Sequence, residues 1–163
     1  LEPVAHEHEV KIHTDIEPLT VRGNGSLLYR ALYNLVENAI RYNEKEGSIT
    51  IDLKNQDTAG MVKIADTGVG IAPEARELIF EPFYRVNKSR SREFGGAGIG
   101  LSLVKAILKR HGALIAVDAN EPQGSVFTIT FPKDGSADGE KSVGAEETPV
   151  ESAEADEQSV EQN

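Results

Sequence analysis

The 163-residue sequence contains no cysteine and no tryptophan. Without cysteine the chain can form no disulfide and use no thiol in catalysis, although this does not fix its compartment. No apolar run approaches the ~18 residues that a membrane-spanning helix needs. The sequence begins at Leu1, with neither a methionine nor a signal-like segment, so we expect it to be a fragment of a longer protein.

Basic residues are scarce as well. The formal net charge is −10, of which residues 133–163 carry −8 and residues 1–132 only −2. No basic excess supports nucleic acid as a partner. Residues 133–163 lack aromatic side chains and are rich in Glu, Ser, Ala and Gly, so they cannot bury enough apolar surface to fold. We predict one domain over residues 1–132 and a disordered acidic tail over residues 133–163, which is either an interaction tail or a solubilising extension.

Hydrophobic periodicity predicts both strands and helices in residues 1–132. Strands are expected near residues 10–16, 19–22, 49–53, 61–65, 113–118 and 125–131. Apolar stripes with helical spacing predict one helix from Ser26 to about Tyr42 and another from about Leu101 to Gly112. Pro73 is expected to open a short helix near residues 74–79. This order predicts an α+β fold, a two-layer α/β sandwich with helices on one face of the sheet.

The first predicted helix carries a polar face away from its apolar stripe. At 100° per residue, Asn34, Asn38 and Arg41 fall within about 60° of one another, and Tyr42 stands at the edge. Such a face is ordinarily just solvated. Two amides and a guanidinium on one face could also hold the phosphates and the metal of a bound nucleotide, so the neighbouring motifs decide between the two interpretations.

Two glycine-containing stretches follow. Asp66-Thr-Gly-Val-Gly-Ile71 comes directly after an apolar strand, and its carboxylate could accept a hydrogen bond from an exocyclic amine, which adenine offers and guanine does not. An Asp-Gly turn is the plain alternative. Residues 95–101, Gly-Gly-Ala-Gly-Ile-Gly-Leu, run into the second helix, where glycine N–H groups form an anion site or merely a hinge. Between them, four cations suit a lid over polyphosphate or an ordinary solvated loop: Arg85, Lys88, Arg90 and Arg92.

Taken together, these stretches resemble the N, first-glycine, F and second-glycine boxes of sensor histidine kinases. The matching segments are Asn34–Tyr42, Asp66–Gly70, Phe80–Arg85 and Gly95–Leu101. The resemblance covers residues 1–132 and implies the Bergerat fold, a two-layer sandwich with a mixed, mostly antiparallel sheet and a mobile ATP lid. It implies ATP and Mg²⁺ as cofactors. Ala97 is a departure, because many family members have Thr or Ser there.

The resemblance also implies roles for individual residues. Asn38 is expected to hold Mg²⁺ through its amide oxygen with Asn34 alongside, and Asp66 to bind the adenine amine. Three arginines are expected to act on phosphate, with the last two in the lid: Arg41, Arg85 and Arg90. The other residues expected to bind or enclose the nucleotide are Tyr42, Gly68, Gly70, Ile71, Phe80, Phe83, Gly96, Gly98, Gly100 and Leu101.

The implied reaction is transfer of the γ-phosphoryl group of ATP to a histidine. Relatives of this fold that hydrolyse ATP, such as DNA gyrase and MutL, place a general-base Glu four residues before the metal Asn. Here that position is Asn34, an amide that cannot take a proton from water. This disfavours an ATPase of the same fold and an anti-sigma type of serine kinase. A module that senses the nucleotide without phosphotransfer remains an alternative.

The acceptor histidine is not expected within this chain. His6 and His8 each precede a glutamate, but no long amphipathic helix follows, and with His13 they lack metal-site spacing. They are predicted to be exposed loop and strand residues, and His111 a favourable partner of a helix dipole. We expect the acceptor on a separate dimerisation domain that then supplies a response regulator. The intact protein is expected to be a homodimer anchored in the cell membrane with this domain in the cytoplasm, and the fragment alone to be a monomer.

Deleting residues 135–163 is predicted to leave the melting temperature almost unchanged, because an acidic tail without aromatic residues buries little surface. Differential scanning calorimetry of the full and shortened chains makes the comparison. A fall of many degrees would show that the tail packs on the domain.

Overall fold

A five-stranded sheet organises the computed structural model, which describes residues 1–86 and 98–133. The strands are β1 (Lys11–Ile16), β2 (Ser48–Asn55), β3 (Ala59–Asp66), β4 (Leu114–Ala119) and β5 (Ser125–Pro132). The helices are α1 (Glu2–Glu7), α2 (Gly25–Arg41) and α3 (Gly100–Arg110). The central part of the predicted lid, with Arg90 and Gly96, and the acidic tail from residue 134 onward lie outside the described residues.

The sheet order is β1-β2-β3-β5-β4. β1 pairs with β2 in parallel and the other three pairings are antiparallel, so the predicted mixed, mostly antiparallel sheet is confirmed. The prediction of a strand at residues 19–22 is wrong. Leu19 instead lies against Gly60 and packs on the core, and Pro18 ahead of it has no N–H to donate to a strand ladder.

The core lies between the sheet and the pair α2 and α3. The apolar stripe of α2 is buried through Leu35 and Ile40, and α3 contributes Val104 and Leu108. Alternate residues of the strands cover the facing side of the sheet, among them Ile129, which is fully buried. Both predicted long helices and the two-layer arrangement are therefore confirmed.

Two local predictions differ from the structure. Residues 74–79 form no continuous helix but two single 3₁₀ turns, Pro73–Ala75 and Leu78–Phe80. The segment before β1 forms the short helix α1, which has a proline in its first turn and buries Ala5, so His6 is an exposed helical residue rather than a loop residue. No helix in the described ranges is long and apolar enough to cross a membrane.

His111 ties the end of α3 to the start of α2. Its Nδ1 lies 2.7 Å from the carbonyl oxygen of Ile107, and its Nε2 accepts a hydrogen bond from the backbone N–H of Asn24 at 3.0 Å. Asn24 is the N-cap of α2, and its side chain accepts from the N–H of Leu27 at 3.0 Å. A Cβ at Gly23 would overlap the His111 ring. The imidazole is thus a fitted link between the two helices, a more specific role than that of a dipole partner.

His111→Ala is predicted to lower stability by about 1 kcal/mol, because it removes one hydrogen bond to each helix and the packing of the ring. For a domain of this size, that corresponds to a melting temperature roughly 3–5 °C lower. His13→Ala, which removes an exposed imidazole on β1, serves as the control. Equal melting temperatures for the two variants would contradict a linking role.

Candidate functional site

Asp66 stands on the last rung of the sheet. As the final residue of β3 it pairs with Ile49 of β2 on one side and with Ser125 of β5 on the other. The next residues leave the sheet as the loop 67–70. The strand end therefore delivers a carboxylate to the sheet edge with a backbone that its two neighbours hold in register.

The two oxygens of the Asp66 carboxylate have different surroundings. The residue is only 6% exposed, and its Oδ1 accepts hydrogen bonds from the N–H of Gly68 at 2.9 Å and of Ser125 at 3.3 Å. Within the described ranges Oδ2 has no hydrogen-bond partner, and no fully buried side-chain polar atom there lacks one, so Oδ2 is not fully buried. One oxygen is held by backbone, and the other is available to a ligand.

Burial raises the pKa of the Asp66 carboxyl above its ordinary value of 3.8, against the N–H groups of Gly68 and Ser125, which lower it. A buried carboxyl with a raised pKa, next to a glycine-containing loop, is typical of a binding site.

Helix α2 presents its polar face to the first turn of α3. The side-chain nitrogen of Asn34 donates to the carbonyl oxygen of Arg30 at 2.8 Å, so its Oδ1 is the side-chain atom left to accept. A Cβ at Gly100 would lie 3.3 Å from that Oδ1. The N–H groups of the first turn of α3 have no partner within the helix. The turn begins at Gly100, so these donors start beside Asn34.

Asn38 and Arg41 lie further along the same face. The Asn38 amide makes no hydrogen bond to any residue in the described ranges, while Arg41 forms an ion pair with Glu37 at 3.3 Å. Glu37 is thus engaged by its own helix neighbour. This part of α2 offers two amide oxygens and a guanidinium, and its nearest carboxylate is already paired.

The loop 67–70 folds back onto the end of α2. The N–H of Val69 donates to the carbonyl oxygen of Tyr42 at 3.1 Å, and a Cβ at Gly68 would overlap that same oxygen, so only glycine permits the approach. From Asn34 to Tyr42 the helix rises about 12 Å. One helix therefore joins the Asp66 loop at one end to the start of α3 at the other, a span suited to an extended nucleoside triphosphate.

A polar network that the sequence patterns did not indicate fixes this junction. The Thr67 hydroxyl accepts from the N–H of Ser48 at 2.9 Å and lies 3.2 Å from Oδ1 of Asn43, whose amide nitrogen donates to the carbonyl oxygen of Ser48 at 3.1 Å. Asn120 and Gln123, in the turn between β4 and β5, also bond to the backbone of this loop. The composition of residues 120–124 marks a turn, but nothing in it indicates what the turn contacts.

The F-box residues lie just before the predicted lid. Phe80 is buried edge-to-face against Phe127, with ring centres 6.5 Å apart, whereas Phe83 is 73% exposed. The N–H of Phe83 donates to the carbonyl oxygen of Gly98 at 3.0 Å, so the chain on either side of residues 87–97 is joined. Ile71 and Leu101 pack against the core near the site, and Arg85 is half-buried. Contacts of these residues with a nucleotide, like those of Gly70 and Arg90, remain predictions.

Comparison with known proteins decides the family. The model of the histidine kinase-, DNA gyrase B-, and HSP90-like ATPase family matches residues 23–135. The chain belongs to this family.

Its relatives identify it further as a histidine kinase catalytic domain. Sensor histidine kinase RppB of Synechocystis is 44% identical over 110 residues, 68% of this chain and 24% of RppB. Sensor-like histidine kinase SenX3 of Mycobacterium tuberculosis is 38% identical over 129 residues, 78% of this chain and 32% of SenX3. This histidine kinase domain therefore spans a quarter to a third of the length of these curated relatives.

Solved structures of histidine kinases share the fold. Full-length ShkA in complex with AMPPNP superposes with a TM-score of 0.68 and 31% identity, covering 80% of this chain and 27% of ShkA. ThkA in complex with the response regulator protein TrrA gives a TM-score of 0.65 and 28% identity, covering 81% of this chain and 36% of ThkA. The α+β sandwich and the ATP-binding class of the domain are thereby confirmed.

Asp66→Asn is predicted to keep or raise stability at pH 7. The amide oxygen can still accept from the two N–H groups, while the cost of burying an ionised carboxylate disappears. Because the pKa is raised on folding, the folded chain binds the proton more tightly, and stability falls as the pH rises from 3.8 through the folded pKa. The advantage of the variant should therefore shrink as the pH is lowered through that window.

Thermal melts at a series of pH values test this, with Asp57→Asn, at an exposed turn between β2 and β3, as the control for loss of one charge. A melting temperature several degrees below that of the unchanged chain at pH 7 would mean that the ionised carboxylate itself stabilises the fold.

Proposed function

We propose that this histidine kinase domain binds Mg-ATP and donates the γ-phosphoryl group to a histidine on a separate dimerisation domain. The observation that carries the proposal is the Asp66 carboxylate, which has Oδ1 occupied by two backbone N–H groups and Oδ2 unpaired and not fully buried within the described residues. Its loop contacts one end of α2, whose polar face leads to the start of α3.

Base recognition is assigned to Asp66. Its open Oδ2 can accept from the exocyclic amine of adenine, whereas guanine presents a carbonyl oxygen at the equivalent place, and two acceptors repel. A hydrogen bond to a charged acceptor contributes about 1.5–3 kcal/mol, enough to decide between the two bases. Tyr42 is partly exposed beside the loop and supplies an aromatic surface near the base.

Metal and phosphate binding are assigned to the polar face of α2 and its surroundings. The chemistry of the donors fits Mg²⁺, which usually keeps several waters and takes few protein ligands: Asn38 offers an uncommitted amide, and the described residues contain no cluster of His, Cys, Asp or Glu that would form a cage. When bound, Mg²⁺ neutralises charge on the phosphates. Asn38 would hold the ion with Asn34 beside it. Arg41, Arg85 and Arg90 would act on phosphate, and the N–H groups at Gly98 and Gly100 would add donors.

The same face disfavours hydrolysis by this chain alone. Asn34 cannot act as a base, and its amide already donates to Arg30. Glu37 is the adjacent carboxylate, but it is paired with Arg41 and lies about 100° round the helix from Asn38. No described group is placed to take a proton from a water, so the site holds ATP until an acceptor arrives, with positioning and electrostatics as its means of catalysis.

The acceptor and the later steps belong to the rest of the protein. We assign the acceptor histidine to a dimerisation domain of the same protein, and the onward acceptor to an aspartate of a response regulator. The presence of the response regulator TrrA in the ThkA structure and the kinship with sensor kinases support this assignment. The intact protein would be a homodimer anchored in the cell membrane, with this domain on the cytoplasmic side and monomeric when isolated.

Calorimetric titration with ATP, with and without Mg²⁺, tests the proposal when phosphate release is assayed in the same sample. We expect tighter binding with Mg²⁺ and negligible turnover. Asn38→Ala should remove the gain from Mg²⁺, about tenfold in Kd, since an ion loses one protein ligand. Gln56→Ala, which removes an exposed amide at the opposite end of the sheet, is the matched control.

Steady phosphate release would favour an ATPase of the same fold in spite of Asn34. Absence of ATP binding would refute kinase and ATPase alike. Binding without transfer to the histidine of an added dimerisation domain would favour a nucleotide-sensing module.

A further inference from the structure

The turn between β4 and β5 lies against the loop that carries Asp66. Ser125 opens β5 and pairs with Asp66 on one side and with Ala119 of β4 on the other, so residues 120–124 leave the sheet at the same end as loop 67–70. The two segments are 54 residues apart in sequence, and the last rung of the sheet brings them together.

Asn120 holds the main chain of Asp66. Its side-chain nitrogen donates to the Asp66 carbonyl oxygen at 2.9 Å. A carbonyl oxygen only accepts, so the amide of Asn120 must point its nitrogen at it. The backbone of Asn120 is fixed in turn, because its N–H donates to the carbonyl oxygen of Gly124 at 3.1 Å. The donor is therefore held by the turn and not left to a flexible side chain alone.

Gln123 joins the two parts of the candidate site. Its side-chain nitrogen donates to the carbonyl oxygen of Gly68 at 3.0 Å and to the carboxylate of Glu44 at 3.1 Å. Gly68 lies in the loop that follows Asp66, and Glu44 follows the end of α2. One NH₂ group thus uses both of its hydrogens to connect the loop to the segment that leaves the helix carrying Asn38 and Arg41.

Gly124 brings the turn into direct contact with the loop. A Cβ at this position would overlap the carbonyl group of Asp66 and crowd the Cα of Thr67, and the φ of 119° is one that other residues rarely adopt. The next N–H, that of Ser125, is one of the two that occupy Oδ1 of Asp66. The turn therefore contacts the backbone of Asp66, its side chain and the loop beyond it.

We propose that Asn120 and Gln123 are positioning residues that aim the Asp66 carboxylate at the base and so set the preference of the site for adenine. The inference rests on the proposed function, since it takes Asp66 as the base-binding group. In this role the two side chains act on the protein backbone and not through contact with the nucleotide. They hold the carbonyl groups of Asp66 and Gly68 in place. The backbone between these two carbonyls sets the direction in which Oδ2 points.

The physical reason is geometric. A hydrogen bond weakens steeply as its angle departs from linearity, so a small rotation of the Asp66 backbone would misdirect Oδ2. Three side-chain hydrogen bonds converge on this region from one turn, and each is worth about a factor of two to ten in an equilibrium constant. The loop 67–70 contains two glycines, so without contacts to the turn it would sample more conformations. Ordering it when the ligand binds would then cost more conformational entropy.

The test measures the Kd of ATP and of GTP for the full 163-residue chain carrying Asn120→Ala or Gln123→Ala. We expect ATP binding about three- to tenfold weaker in each variant and GTP binding little changed, so that the ATP preference falls. Gln123→Met keeps the approximate size of the side chain but removes its N–H donors without adding a charge beside Glu44, and it should behave like Gln123→Ala. Glu121→Ala is the matched control, because it removes an exposed side chain from the same turn.

A double-mutant cycle separates positioning from mere support of the fold. In an Asp66→Asn background the two alanine substitutions should have almost no further effect on ATP affinity, since the group they aim is gone. A general loss of stability would weaken ATP and GTP alike and would persist in that background. Melting temperatures measured on the same samples show whether any variant is folded, and Gln123→Met provides a second, size-conserving variant.

The outcomes are distinct. If Asp66→Asn weakens ATP binding but the turn variants stay within twofold of the unchanged chain, the positioning role is refuted and the proposed function stands. Equal losses for ATP and GTP would also refute positioning, in favour of a structural role. If Asp66→Asn leaves the ratio of ATP to GTP affinity unchanged, base recognition by Asp66 and its positioning by the turn are refuted together.

Discussion

The burial of one carboxylate is the constraint on which the candidate site depends. An ionised group that is 6% exposed needs hydrogen-bond donors, and Asp66 takes two from backbone N–H groups, both on the same oxygen. That arrangement requires a strand that ends at Asp66, a loop that turns back at Gly68, and a second strand that begins at Ser125. Three separate segments meet at this side chain, and their N–H groups offset part of the cost of burying its carboxylate. The remaining oxygen is what a ligand can use.

Helix α2 fixes the distance between the Asp66 loop and the rest of the candidate site. Its apolar stripe is fixed by packing against the sheet and α3, so its opposite face has no freedom of its own. The Asp66 loop bonds to its end at Tyr42, and Gly100 meets Asn34 two turns earlier. The spacing between the place assigned to the base and the place assigned to the phosphates is therefore a property of helix geometry, about 1.5 Å per residue, and core packing maintains it.

The long helices, the sheet strands and most candidate residues could be predicted from the sequence, because each depends on a local pattern. The two long helices and the sheet strands have strong periodicity, and the candidate residues lie in continuous motifs whose order matches one family. What could not be predicted depends on pairing across the sheet. Leu19 looks like part of a strand but packs on Gly60, and α1 is too short to show a helical period. Asn120 and Gln123 stand in a stretch that reads only as a turn, and their partners are known only once β3 and β5 are in register.

The identity of residue 34 bears on whether the phosphoryl group is transferred to water or to another domain. A carboxylate at that position would lie beside the first turn of α3, where it could serve as a base. The amide of Asn34 instead donates its N–H to the carbonyl oxygen of Arg30, and only its oxygen is left to interact. The carboxylate that the helix does carry, Glu37, is paired with Arg41. An amide at position 34 and the pairing of Glu37 with Arg41 both disfavour water as the acceptor of the phosphoryl group. The proposed reaction therefore requires a second domain to bring the nucleophile, and phosphoryl transfer becomes dependent on how the two domains meet.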